Sequence, residues 1–134
     1  MNKPKLDKFT ALIVEDDKEI RDLVIEVLTD LKVFSSVTPA IDGSEAVLKM
    51  RNQSFDLIIT DLNMPKMNGI DFIKNILADS KRQGTQIVVM SGEVTGPRVG
   101  ELLRLGLRHI ITKPTSVRSL VSKVSEVLKL DIKA

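Results

Sequence analysis

Apolar residues along this chain fall into two alternating rhythms: short continuous runs, and stripes at helical spacing. "FTALIV" (9–14) is a continuous run, and Ile20, Leu23, Val24, Val27, Leu28 and Leu31 then recur at helical intervals, which predicts a buried strand followed by an amphipathic helix. The same alternation continues with a weaker strand at "VFSSV" (33–37) and a short helix at "GSEAVLKMR" (43–51). A strong strand at "FDLIIT" (55–60) precedes a helix carrying Ile70, Ile73, Ile76 and Leu77, and "TQIVVM" (85–90) is another buried strand. The last strand is "RHIIT" (108–112). Its helix has the stripe Val117, Leu120, Val121, Val124, Val127 and Leu128, with Thr115 or Ser116 as N-cap. Between them "VTGPRVGELLRLG" predicts a fourth helix with few anchors (Val99, Leu102, Leu103) and with Gly96, Pro97, Gly100 and Gly106, so it should be the least stable element.

Strict alternation of strand and helix implies an α/β fold with a parallel sheet covered by helices on both faces. Five units with right-handed crossovers give a (βα)5, doubly wound, flavodoxin-like sheet of order 2-1-3-4-5. No repeat, low-complexity tract or linker interrupts it. One domain over residues 9–130 is expected, with a flexible N-terminal tail (1–8) and a short C-terminal tail (131–134). In such sheets ligands bind beyond the carboxyl ends of the strands, where the winding reverses between strands 1 and 3.

Composition narrows the chemistry. The 134 residues are 43% hydrophobic and 28% charged, ordinary for a globular domain. No apolar run approaches a membrane span, and the polar start "MNKPKLDK" lacks the apolar region of a signal peptide, so a cytoplasmic protein without membrane contact is expected. Zero cysteines exclude disulfides, thiolate metal sites and Cys nucleophiles. The net charge of +2 conceals a segregation: residues 1–94 carry −3 and residues 95–134 carry +5. With no Trp, no Tyr and four Phe there is little to stack on bases, and direct nucleic-acid binding is not expected.

Read together, the strand ends carry a constellation. Strand 1 ends in Glu15, Asp16 and Asp17, strand 3 in Asp61, strand 4 in Ser91 and Gly92, and strand 5 in Lys113 and Pro114. Each has a bland alternative: Asp16 or Asp17 can cap the next helix, Ser91 can open a turn and Lys113 can be solvated. In the proposed strand order, however, they line one crevice. Carboxylates packed at one rim raise one another's pKa unless a cation bridges them. With no Cys, and the single His109 off the rim, the donors are all oxygen, which suits Mg²⁺. Ser91 and Lys113 would face a phosphate on that ion, and Asp61 would be a nucleophile able to become an acyl phosphate.

The motifs "LIVEDD", "IITDLNMPKMNG", "VVMSGE" and "IITKP", in this order and spacing, resemble the receiver domain of two-component response regulators, especially the stand-alone chemotaxis type. The resemblance covers essentially all of residues 9–129. It implies that Asp61 is the phosphoacceptor. Asp16 would bind Mg²⁺ directly, Glu15 through water, Asp61 through its carboxylate, and Asn63 through its backbone carbonyl. It also makes Ser91 the switch hydroxyl, Gly92 the small neighbour that leaves room for the phosphoryl group, and Lys113 the lysine that meets it. The Lys113-Pro114 bond is cis in the family, and Met64-Pro65 and Gly69 shape the loop after Asp61, where Gly69 is expected to supply a conformation other residues resist. Asn63 and Glu93 would flank the path of the hydrolytic water.

Implied partners are a histidine kinase or phosphotransfer protein and a target protein. Two positions depart from the family pattern. Ile110 stands where most receivers carry Tyr or Phe, and Thr115 follows Lys-Pro where Phe is common. The expected output face contains Arg98, Arg104, Arg108, His109, Ile110, Arg118 and Lys123, whose charge suits a target with an acidic docking segment. The competing readings are a Mg²⁺-dependent aspartyl phosphohydrolase, which would want an Asp-x-Asp pair that "EDDKE" lacks, and a receiver cut from a larger DNA-binding regulator. A nucleotide-binding protein would need a Gly-rich loop after strand 1, and none is present.

Overall fold

The computed structural model describes residues 8–63, 67–79, 82, 84–92, 96–113 and 115–130. Five strands, β1 (Phe9–Val14), β2 (Phe34–Ala40), β3 (Leu57–Thr60), β4 (Gln86–Ser91) and β5 (Ile110–Thr112), form one parallel sheet in the order β2-β1-β3-β4-β5. Helices α1 (Lys18–Asp30), α2 (Gly43–Asn52), α3 (Gly69–Ala78), α4 (Gly96–Arg104) and α5 (Val117–Leu128) alternate with them, as the hydrophobic rhythm predicts.

Side chains of a strand point to alternate faces, and the central strands use both. Leu12, Val14, Ile58, Ile87 and Val89 pack with residues of α2, α3 and α4, including Met50, Phe72, Ile73 and Leu102. Their sequence neighbours Ala11, Ile13, Leu57, Ile59, Val88 and Met90 pack with α1 and α5 through Val24, Leu28, Leu120 and Val124. Burial on both faces is why these strands read as continuous apolar runs.

Helix starts are set by side chains that accept otherwise unpaired backbone N–H groups. Asp42 caps α2 through Glu45 N–H (2.8 Å) and Asn68 caps α3 through Asp71 N–H (2.9 Å). Of the two candidates for α5, Ser116 is the cap, accepting from Ser119 N–H at 3.0 Å.

Several boundaries differ from expectation. β2 runs on to Ala40 because an edge strand tolerates Pro39, whose missing N–H is not needed by a second neighbour. β3 opens at Leu57 rather than Phe55, and β5 at Ile110 rather than Arg108. Three stripe residues, Leu23, Leu77 and Val117, are about half exposed: a helical stripe is wider than the strip a sheet covers. Residues 1–7 and 131–134 of the expected tails lie outside the described residues.

The fourth helix has the shortage of anchors its composition predicts. Leu102 is fully buried, Val99 is half-buried and Leu103 is exposed. The helix ends through Gly106, whose φ of 89° belongs to the left-handed region, with Leu107 N–H returning to the Leu102 carbonyl at 3.0 Å. Inside α4, a Cβ at Gly100 would meet only the flexible tip of Arg104, at 3.6 Å. Gly100→Ala should therefore stabilise the protein by about 0.5–1 kcal/mol in urea denaturation; a loss of stability would show that this glycine has a packing role.

Candidate functional site

Parallel pairing puts the carboxyl ends of all five strands on one edge, and backbone hydrogen bonds carry the pairing one residue further. Glu15 N–H donates to the Ala40 carbonyl (3.0 Å), Asp61 N–H to Val14 (3.1 Å) and Lys113 N–H to Ser91 (3.0 Å). Three chemically active residues are thus fixed by main chain before their side chains are considered.

Carboxylate oxygens of Glu15, Asp16 and Asp61 lie within 4.8 Å of one another. Glu15 and Asp61 are buried and Asp16 is exposed, so the cluster opens to solvent on the Asp16 side. The Lys113 ammonium lies between the two buried members, paired with Glu15 Oε1 and donating to Asp61 Oδ2 at 2.8 Å. Asp61 Oδ1 accepts the Asn63 N–H at 3.1 Å, and Glu15 Oε2 accepts the Asp17 N–H at 3.2 Å. The choice between Asp16 and Asp17 as helix cap is also settled: Asp17 Oδ1 accepts from Glu19 (2.9 Å) and Ile20 (3.3 Å), which leaves Asp16 for the cluster.

Burial is the largest influence on both partners of the Glu15–Lys113 pair. It raises the Glu15 pKa above its ordinary value, and the pull of Lys113 only partly reverses this. For Lys113 burial acts downward, but hydrogen bonds to Asp61 and Glu15 outweigh it and hold the ammonium above the ordinary lysine value. The site therefore keeps its cation while carrying more carboxylate than one ammonium offsets. An all-oxygen donor set with excess negative charge and one open side fits a hard divalent ion such as Mg²⁺.

Ser91 is fully buried at the end of β4, and Gly92 beside it is exposed. A Cβ at Gly92 would meet only Lys113 Cβ, at 3.8 Å, so the space there is open. Gly69 is needed for a different reason from the one its sequence context suggests. It is absent from the positive-φ glycines, and what forbids a side chain is contact: a Cβ would come 2.6 Å from the Asp61 carbonyl oxygen and closer still to Leu62 Cα. With Gly69 N–H on the Leu62 carbonyl (2.9 Å), the first turn of α3 holds the backbone on which Asp61 rides.

Met64, Pro65, Glu93 and Pro114 lie outside the described residues, and with them the water-flanking role of Glu93 and the cis bond. The residues of the expected output face are not brought into the site. They lie on α4, the following loop, β5 and α5, where Arg104, Arg108 and Arg118 are exposed, Arg98 and His109 are half-buried and Lys123 pairs with Glu126 at 2.9 Å. Ile110 is half-buried against the cluster that includes Leu102, Leu107 and Val89. One participant escapes a reading of motifs: Arg21, whose guanidinium bonds the carbonyls of Glu15 and Asp16. Its faint signal is a cation in the first turns of a helix, the end that disfavours positive charge.

The response regulator receiver domain model matches residues 11–125. This chain belongs to that family. Among curated relatives, the chemotaxis protein CheY-3 of Vibrio cholerae is 32% identical over 118 residues, covering 88% of this chain and 90% of its own length. The chemotaxis protein CheY homolog of Campylobacter jejuni is also 32% identical, covering 87% and 90%. Among solved structures, the chemotaxis protein CheY4 of Vibrio cholerae superposes with a TM-score of 0.82 at 31% identity, over 89% of this chain and 98% of that one. A CheY from Borrelia burgdorferi, solved as a CheX-CheY-BeF3-Mg complex, gives 0.81 at 28% identity, over 95% and 92%. The chain is thus a receiver domain homologous to the chemotaxis CheY proteins.

The receiver's acidic cluster should be visible in its pH dependence. Because Glu15 has a raised folded-state pKa, its ionisation costs stability in metal-free protein, and that cost grows as pH rises from 4.5, the ordinary value, through the raised one. Between pH 4.5 and 7 the stability difference between Glu15→Gln and the parent should move in favour of the variant, as read by calorimetric unfolding in chelator. Movement the other way would mean that attraction to Lys113 outweighs burial.

Proposed function

We propose that this receiver accepts a phosphoryl group on Asp61 from the phosphohistidine of a kinase or phosphotransfer protein, and so switches its affinity for a target protein. The observation that carries the reading is the state of the Asp61 carboxylate. It is buried at a strand end, fixed by Lys113 on one oxygen and by Asn63 N–H on the other, and clustered with two more carboxylates.

In the transfer, an Asp61 oxygen attacks phosphorus in line, a new O–P bond forms, and the N–P bond of the donor breaks with its electron pair leaving on the imidazole. Glu15, Asp16, Asp61 and the Asn63 backbone carbonyl would hold Mg²⁺, which would supply positive charge against the phosphoryl oxygens. Lys113 meets an oxygen that its ammonium can reach after releasing Asp61. Ser91 donates its hydroxyl to another, and Gly92 leaves the room. Orientation does most of the work, since the nucleophile is already held in place by Lys113 and the Asn63 N–H. Substitution at Asn63 or Glu93 should change the rate at which the acyl phosphate is hydrolysed without abolishing its formation.

The signal leaves through α4, which has one fully buried anchor and is cheap to reposition, and through Ile110, which fills space by aliphatic packing rather than by an aromatic ring. The exposed Arg104, Arg108 and Arg118 on that side suit a target with an acidic docking segment. The protein works in the cytoplasm, without nucleic acid or membrane, as a phosphoacceptor that catalyses only its own phosphorylation and dephosphorylation.

Incubation with radiolabelled acetyl phosphate or a phosphorylated histidine kinase should label the protein in Mg²⁺ and not in EDTA, and Asp61→Asn should abolish the label. Label retained by that variant would overturn the assignment. In the same samples, capture of an acidic peptide should rise or fall on phosphorylation, weaken with salt, and be lost with Arg104→Glu combined with Arg108→Glu. Unchanged capture would place the output face elsewhere.

A further inference from the structure

Both carboxylates contributed by β1 sit on a turn with no strand or helix of its own, Glu15 to Asp17, so something must fix it. Arg21 does so from α1. Its Nη1 donates to the Glu15 carbonyl at 2.8 Å and lies 3.4 Å from the Asp16 carbonyl. The same helix holds the far end of the turn, with Arg21 N–H on the Asp17 carbonyl at 2.9 Å and the Asp17 side chain on the N–H groups of Glu19 and Ile20. Glu15 Oε2 closes the turn on the Asp17 N–H.

This placement runs against simple electrostatics twice. A guanidinium in the first turns of α1 opposes the positive end of the helix dipole, and it stands beside a cluster suited to a divalent cation. What it gains is a charge-assisted hydrogen bond to main chain, which fixes geometry without neutralising either carboxylate, because the bonded atoms are carbonyl oxygens. The consequence for binding is preorganisation: a cation site whose ligands are held in place loses less freedom on loading than one whose supporting turn must first be ordered.

We propose that Arg21 is a positioning residue for cation binding, tethering the Glu15–Asp16 backbone so that the two carboxylates are presented together. The proposal rests on the reading of the acidic cluster as a Mg²⁺ site. The test is titration of the metal-free protein with Mg²⁺ in a calorimeter, for the parent, Arg21→Gln, Arg21→Lys, Asp16→Asn and Leu28→Ala. The last variant destabilises α1 from its core face without touching the turn. Amide exchange at residues 15–17 is followed in the absence of metal.

Arg21→Gln should weaken Mg²⁺ binding by about tenfold, the scale at which supporting groups act, and speed exchange of the turn amides in metal-free protein. Arg21→Lys should recover part of both, since an ammonium can reach a carbonyl but lacks the planar fork. Leu28→Ala should leave the affinity near that of the parent. Unchanged or tighter binding by Arg21→Gln overturns the proposal, as does an equal loss in Leu28→Ala, which would make the effect one of general stability. If the parent binds no Mg²⁺, or Asp16→Asn binds as the parent does, the metal-site reading fails first, and the proposal with it.

Discussion

One ammonium shared between two buried carboxylates is the constraint around which this receiver is arranged. Glu15 and Asp61 have oxygens no more than 4.8 Å apart. Two unit charges at that separation repel by roughly 3 kcal/mol at the effective dielectric that suits protein sites. Lys113 reaches both, and it can because the sheet sets β5 two strands from β3 with its carboxyl end on the same edge. The order of the strands and the chemistry of the site are therefore one fact. An order that moved β5 to the far side of β2 would leave the acidic pair and the lysine apart.

The ion pairs do not finish the job. Three carboxylates against one ammonium leave negative charge in excess, and the pKa of Glu15 stays raised in spite of its partner. A site in that condition is poised to take up a cation, and its open side is where Asp16 meets solvent. The supports around it act on backbone: Gly69 presses against the Asp61 and Leu62 main chain, Asn63 N–H turns back onto Asp61, and Arg21 bonds the carbonyls behind Glu15 and Asp16. These contacts add little to the hydrophobic core. They fix where the carboxylates stand, and a reaction driven by orientation depends on that.

Much of this was legible from the residues because burial on both faces leaves an unmistakable trace. Val14, Thr60 and Ser91 end runs that no amphipathic helix could produce, so the strand ends, and the polar residues just beyond them, could be located and read together. What periodicity could not decide were matters of a few ångströms. The role of Asp17 as cap, which leaves Asp16 to the cluster, turns on which side chain curls back to Ile20 N–H. The half-exposure of Leu23 and Val117 depends on how closely α1 and α5 approach. Gly69 reads as a turn glycine by its neighbours, yet its φ is ordinary and a backbone contact excludes a side chain. Arg21 left only the faint signal of a cation near a helix start, since its partners are carbonyls, which every sequence has at every position.

The claim that Lys113 offsets part of the charge of the acidic cluster, and that a divalent ion can offset the rest, is tested most directly by the stability of Lys113→Met measured by urea denaturation with and without Mg²⁺. In chelator the variant should lose roughly 3 kcal/mol relative to the parent, the lower end for a broken buried pair because Lys113 keeps some contact with solvent. In saturating Mg²⁺ most of that loss should return, because the ion binds the unbalanced carboxylates and stabilises the folded state by mass action. A variant as stable as the parent in chelator, or one that Mg²⁺ does not restore, would contradict the account.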